Sequence, residues 1–304
     1  MTRLRLGTRG SPLALVQAHM VRDALVAAHG LPADAIEIVP VRTTGDRVQD
    51  RALAEIGGKA LWTKELDRAL LGNEIDFAVH SMKDVETIRP DTIVIAAMLP
   101  RADVRDCLIG AASIDSLRPG AVIGTSSPRR AAQLRALRPD LRAVLFRGNV
   151  DTRLTKLAAG EADATILAAA GLDRLGRLEI GTRIPVDVML PAPAQGAIGI
   201  EARADDEAVR TLLAAIDDAM TSRCVRHERA LLAALGADCH SPVAALATIS
   251  GDGLRLRAAL FAIDGSAEIA AERIGAADDL TLAESLAADL LAEAPPAIRR
   301  LFTP

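Results

Sequence analysis

Two stretches of this chain repeat one another. Leu4-Arg5-Leu6-Gly7-Thr8-Arg9-Gly10-Ser11-Pro12 reads as a short strand, a Gly-Thr turn, then a serine and a proline placed to start a helix. Val122-Ile123-Gly124-Thr125-Ser126-Ser127-Pro128 has the same plan, one residue shorter. Proline costs nothing at a first helical position, where its missing N–H would have no partner, and the serine side chain caps a free N–H. Apolar residues at helical spacing follow each pair, predicting helices over 13–28 and 129–137. A second echo comes later: Leu71-Gly72-Asn73-Glu74-Ile75-Asp76-Phe77-Ala78-Val79 and Ala159-Gly160-Glu161-Ala162-Asp163-Ala164-Thr165-Ile166 each pass from helix end to glycine stop, acidic turn and buried strand. With middle strands expected over 36–41 and 143–146, two similar α/β lobes with mostly parallel sheets stand in tandem. Two-lobed proteins of this class take ligands in the cleft between lobes, at the carboxyl ends of strands.

From about residue 221 the pattern changes to a helix over 222–235, a polar turn, three strand-like runs broken at Gly251-Asp252-Gly253 and Asp264-Gly265, and a helix near 280–292. Hairpin turns of this kind imply an antiparallel sheet, hence a small α+β domain. A length of 304 residues suits two or three domains.

A net charge of −4 argues against a broad footprint for duplex nucleic acid, and 2% aromatics leave few stacking platforms for single strands. No apolar run approaches membrane-spanning length, and Met1-Thr2-Arg3-Leu4-Arg5-Leu6-Gly7 has no signal-peptide core. Cys107, Cys224 and Cys239 show no metal-type or framework spacing, so free thiols in a reducing compartment, and no metal, are expected. The chain reads as soluble and cytoplasmic.

Gly124-Thr125-Ser126-Ser127-Pro128-Arg129-Arg130 sets hydroxyls and open N–H groups at a helix N-terminus, an environment favourable to an anion. The plain alternative is a capped helix with two solvated arginines. Arg147-Gly148-Asn149-Val150-Asp151-Thr152-Arg153 repeats the theme after the next strand, and Arg9 and Arg174 join the set. Such guanidinium contacts with carboxylates contribute about 1.5–3 kcal/mol each. Arginines so grouped repel one another unless a polycarboxylate is present, or unless Asp140, Asp151 and Asp163 neutralise them in ion pairs. His80-Ser81-Met82-Lys83-Asp84 follows a buried strand and places Ser81, Lys83 and Asp84 at the same mouth. Asp84 is then either a carboxylate that stabilises a developing cation and handles a ring N–H proton, or a turn cap. In Gly236-Ala237-Asp238-Cys239-His240-Ser241-Pro242 the thiol sits in a polar turn, which suits a nucleophile or an attachment point better than a core position.

Taken with Leu190-Pro191-Ala192-Pro193-Ala194-Gln195-Gly196-Ala197, these motifs closely resemble the porphobilinogen deaminase (hydroxymethylbilane synthase) family over nearly the whole chain. The resemblance implies two lobes like those of periplasmic binding proteins and a return to the first lobe after Gln195-Gly196, giving domains at 1–99 with 200–218, 104–194 and 222–304. It implies a dipyrromethane cofactor held by a thioether to Cys239, and a monomer that condenses four porphobilinogen molecules head to tail with loss of ammonia before hydrolysis releases hydroxymethylbilane for tetrapyrrole biosynthesis. Asp84 matches the family's catalytic aspartate. Arg9, Ser11, Lys59, Ser81, Lys83, Thr125, Ser127, Arg129, Arg130, Arg147, Gly148, Arg153, Arg174 and Gln195 match cofactor and substrate positions, and Trp62 matches an aromatic one.

Three departures stand out: Ala237-Asp238 and His240 flank the cysteine where glycines and Gln-Val are common, Glu86 replaces a usual proline, and Ala194 a common glycine. Asp238 beside the thiol is expected to disfavour thiolate. The competing class is a non-catalytic two-lobed binding protein for a polycarboxylate anion, which has no use for a third domain bearing Cys239.

Overall fold

A computed structural model describes residues 3–41, 63–251 and 253–302. In chain order it begins with β1 (Leu4–Arg9), α1 (Pro12–His29), β2 (Ile36–Val41), α2 (Lys64–Leu71), β3 (Phe77–Ser81) and β4 (Ile93–Met98). Next come β5 (Asp106–Ile109), β6 (Val122–Gly124), α3 (Pro128–Leu137), β7 (Arg142–Val144), α4 (Val150–Ala158), β8 (Ala164–Ala168), α5 (Ala169–Arg174) and β9 (Thr182–Arg183). The remainder is β10 (Ile198–Arg203), α6 (Glu207–Ala214), α7 (Ala219–Ala234), β11 (Val243–Ser250), β12 (Gly253–Phe261), β13 (Glu268–Ala276), α8 (Thr281–Glu293) and α9 (Pro296–Arg299). These divide into two compact units, Met1–Ala102 with Gly196–Ser222, and Asp103–Gln195 with Arg223–Pro304.

The first unit holds a five-stranded sheet in the order β2-β1-β3-β10-β4, and the second a five-stranded sheet in the order β7-β6-β8-β5-β9. Each has parallel pairs around a central strand, β1 with β2 and β3, β6 with β7 and β8. Each is crossed by one antiparallel strand, β10 between β3 and β4, β5 between β8 and β9. The near-repeat in sequence is thus a repeat of topology, and the expected α/β class holds, but the sheets are mixed rather than mostly parallel, because the β10 and β5 crossovers make half of the pairings in each antiparallel.

Helices cover both faces of the first sheet. Phe77 and Val79 of β3 pack with Ala18, Val21 and Leu25 of α1, whereas Ala78, pointing the other way, packs with Leu66, Ala69 and Leu70 of α2. That period of two is what continuous apolar strands require when buried on both sides. Each fully buried leucine or phenylalanine adds about 2 kcal/mol. β1 runs on through Gly7, Thr8 and Arg9, where a turn was expected. Gly7 is needed there for space: a Cβ would lie 2.2 Å from Ile75 Cδ1.

In the second unit Ile123, Leu134 and Ile166 form the core under α3, with Leu167 and Leu172 packed on the opposite face. The C-terminal segment is an antiparallel three-stranded sheet, β11-β12-β13, as its hairpin turns predicted. One face packs on Leu231 and Leu235 and on α8 through Leu286 and Leu290, while Leu246 and Phe261 meet Ala132 and Leu190. Among the described residues no helix is long and apolar enough to cross a membrane.

Candidate active site

Arg9 ends β1, and Ser11 caps α1 by accepting the Ala14 N–H at 3.4 Å. β3 lies beside β1 in parallel register, Leu6 with Phe77 and Gly7 with Ala78, so its end emerges at the same sheet edge. There the chain makes a single 3-10 turn, Met82–Asp84, with Lys83 and Asp84 half-buried. Gln17 of α1 donates to Ser81 Oγ at 2.8 Å and ties the two turns together. Arg9, Ser11, Ser81, Lys83 and Asp84 are therefore gathered at the carboxyl edge of one sheet.

Beneath that edge lies a charge cluster that the sequence motifs did not announce. Glu201 of β10, fully buried, takes Arg89 Nε on Oε1 at 2.8 Å and Arg89 Nη2 on Oε2 at 3.0 Å, with His80 Nε2 3.1 Å from Oε2. Burial pushes the Glu201 carboxyl up, but His80 and Arg89 outweigh it and lower its pKa to about 2. Arg89 also donates to Asp67 at 2.5 Å and to Glu86 at 2.9 Å. Glu86, a departure from the family pattern, thus has a partner of its own in this chain.

In the second unit β6, β7 and β8 run parallel, so the segments after them share one edge. Ser127 caps α3 by accepting the Arg130 N–H at 3.4 Å, and the Thr125 N–H donates to the Val144 carbonyl at 2.8 Å. Arg153 donates through Nε to the Gly148 carbonyl at 3.0 Å and through Nη2 to Ser126 Oγ at 3.1 Å, joining the two arginine motifs. Gly148 adopts φ 107°, and a Cβ there would stand 2.6 Å from Thr152. Arg147 is buried beside it, and Arg174 ends α5. Burial pushes the Arg174 guanidinium down to about 10, against the nearby charge of Asp173, which raises it.

Arg129 and Arg130 are neither solvated nor paired with the aspartates expected from sequence. Both are buried against Asp106, which has 0% exposure: Arg129 Nη2 reaches Oδ2 at 2.8 Å and Arg130 Nη2 reaches Oδ1 at 2.7 Å. Their remaining arms meet the Leu190 and Ile166 carbonyls at 2.8 and 2.9 Å. Burial alone would raise the Asp106 carboxyl, yet the two guanidiniums hold it far below the usual carboxylate range. Gln195 is buried here too, donating to Asp106 at 2.9 Å and to the Val104 carbonyl at 2.8 Å. Asp140, Asp151 and Asp163 instead serve Arg138, Arg177 and Arg118. Asp106 escaped sequence reasoning because it stands at the head of β5, opposite Ala168 across an antiparallel pairing that no local motif encodes. One carboxylate faces two guanidiniums in this cluster, and among the described residues Arg129 Nε is a buried donor without a hydrogen-bond partner.

Cys239 is exposed, whereas Cys107 in β5 and Cys224 in α7 are buried. Its turn is held by the Asp238 N–H donating to Ser241 Oγ at 3.1 Å and by the His240 N–H donating to Asp238 Oδ1 at 2.9 Å. The imidazole Nδ1 stands 3.5 Å from Cys239 Sγ and 3.6 Å from Asp238 Oδ1. Lys59 and Trp62 lie outside the described residues. Among the described residues no cluster of His, Cys, Asp or Glu could hold a metal ion.

Residues 4–211 match the family model described as porphobilinogen deaminase, dipyromethane cofactor binding domain, and 222–294 match its C-terminal domain. The porphobilinogen deaminase of Sphingopyxis alaskensis is 61% identical over 98% of this chain and 96% of its own length. That of Paracoccus denitrificans is 56% identical over 96% of this chain and 95% of its own. Among solved structures, a periplasmic substrate-binding protein of an ABC transporter from Coxiella burnetii aligns at 14% identity with a TM-score of 0.43, covering 72% of this chain and 94% of that one. With family models spanning most of its length and relatives more than half identical, the chain belongs to the porphobilinogen deaminase family.

Proposed function

We propose that this chain deaminates porphobilinogen as a transferase, joining four molecules head to tail on a primer anchored at Cys239 and releasing hydroxymethylbilane by hydrolysis. The observation that carries the reading is the exposed Cys239 thiol in a chain whose other cysteines are buried. The side chains suit a polycarboxylate pyrrole. Arg174 is a cation burdened by burial, and the Asp106 cluster holds more guanidinium than carboxylate, so an acidic ligand nearby would relieve both.

A dipyrromethane bound there would supply the pyrrole carbon on which the chain grows. Arg9, Ser11, Ser81 and Lys83 would take acetate and propionate groups at the first sheet edge, and Thr125, Ser127, Arg147, Arg153 and Arg174 at the second. Arg129, Arg130 and Gln195 would act mainly by fixing that second edge through Asp106. Gly148 would give the backbone its close turn. Asp84 would accept a hydrogen bond from the pyrrole N–H of porphobilinogen and balance the positive charge left as ammonia departs. A segment over 222–304 acting as a separate cofactor-bearing domain, and a cytoplasmic monomer with reduced thiols, belong to the same reading.

Intact mass tests it. The purified chain should exceed its polypeptide mass by two linked pyrroles, and Cys239→Ala should remove the excess and the activity. A native chain that is active at its bare polypeptide mass would overturn the anchor. A non-catalytic polycarboxylate receptor would bind porphobilinogen without releasing ammonia.

A further inference from the structure

The residues on either side of Cys239 carry opposite charges. Asp238 Oδ1 accepts the His240 backbone N–H at 2.9 Å and lies 3.6 Å from His240 Nδ1, which in turn stands 3.5 Å from Cys239 Sγ. Asp238, with a further contribution from Cys239, pushes the imidazole up to about 10, so that His240 is a cation across neutral pH. These two are the groups that act on it among the described residues. A carboxylate alone beside a thiol opposes charge on sulfur, and an imidazolium at hydrogen-bond distance favours it.

We propose that His240 is a positioning residue for primer attachment, its imidazolium N–H facing Cys239 Sγ and cancelling the Asp238 carboxylate as sulfur becomes the nucleophile. The inference rests on the anchoring role of Cys239 proposed above. In the attachment step the Sγ to methylene carbon bond forms while the carbon to nitrogen bond of porphobilinogen breaks. The bonding pair leaves with nitrogen, which also takes the thiol proton, so that thiol plus aminomethyl pyrrole gives thioether plus ammonia with no redox partner. Asp238 and His240 thus act as a compensated pair, which explains how the chain carries an acidic residue next to its anchor.

The test uses the full chain purified from a host unable to make porphobilinogen, so that the thiol is free. Alkylation of Cys239 by iodoacetamide, followed by intact mass across pH 6 to 9, should be slowed about tenfold at pH 7 by His240→Gln, because the cation facing the sulfur is gone. The double variant Asp238→Asn with His240→Gln should recover most of that rate, because the carboxylate beside the sulfur is gone as well. Mass gain on adding porphobilinogen should slow in parallel with alkylation. Equal alkylation profiles for the native chain and His240→Gln would overturn the proposal, as would a double variant no faster than the single one. If porphobilinogen adds no mass to the native chain while iodoacetamide still does, the anchor itself fails, a result distinct from a silent His240.

Discussion

Asp106 Oδ2 and Arg129 Nη2 meet at 2.8 Å with 0% and 3% of their residues exposed, a charge pair with no access to water. A buried pair of this kind adds little over an apolar pair of equal volume, but removing one partner strands the other charge at about 3–5 kcal/mol. Asp106→Asn strands two arginines at once and should therefore lower unfolding stability by about 3 kcal/mol or more, measured from urea midpoints. Arg129→Met, which removes charge while keeping volume, should cost less, since Arg130 continues to hold Asp106 at 2.7 Å. If Arg129 instead serves only to grip substrate, Arg129→Met will leave the midpoint unchanged and raise KM alone.

Glu201 gives the protein an acid limit. Its folded pKa of about 2 lies below the ordinary glutamate value, so its stabilising share is complete above about pH 4.5 and is lost as pH falls toward 2. A difference of roughly two units corresponds to about 3 kcal/mol. Stability measured from pH 6 down to pH 3 should fall steeply in the native chain. Glu201→Gln should start lower at pH 6 and fall less, because that proton uptake has been removed. Parallel profiles would show that other carboxylates govern the acid transition.

Local punctuation in the sequence carried much of this architecture. Ser11-Pro12 and Ser127-Pro128 announced two capped helices, and both caps form. The polar turn around Cys239 announced an exposed thiol. What stayed hidden arises from strands inserted by the crossovers. Asp106 and Glu201 sit on β5 and β10, the antiparallel members of their sheets, and their partners are supplied by distant segments. Gly7-Thr8 reads locally as a turn because glycine is a turn signal, whereas the need Gly7 meets is the tertiary approach of Ile75.

Ala194 occupies the left-handed region at φ 61° and is 2% exposed. Its N–H donates to Glu228 Oε2 at 2.5 Å, and the Ala247 N–H donates to Oε1 of the same buried carboxylate at 2.7 Å, so the turn cannot relax freely. An alanine in this conformation costs about 1 kcal/mol relative to glycine. Ala194→Gly should therefore raise stability by up to about 1 kcal/mol, less whatever the freer unfolded chain takes back. Ala194→Val, β-branched and larger in a packed site, should lower it by about 2 kcal/mol. Thermal melts of the three proteins decide the matter, and a glycine variant less stable than the native chain would show that the backbone geometry is not strained.

Asp84 closes the single 3-10 turn after β3, half-buried beside Lys83 and at the same edge as Arg9 and Ser11. Substituting asparagine keeps the volume and most hydrogen bonds of the turn but removes the negative charge. A carboxylate that only caps the turn would cost about 1 kcal/mol in stability when neutralised, with turnover little changed. A carboxylate that balances charge at the departing ammonia would show the reverse: native-like melting, retained cofactor mass, and ammonia release slower by about 100-fold or more. Single-turnover release of ammonia, set beside melting temperature and intact mass for Asp84→Asn, separates the two outcomes. We expect the second, because the turn is already held by the Val85 N–H donating to the Met82 carbonyl at 3.2 Å and does not need the Asp84 charge.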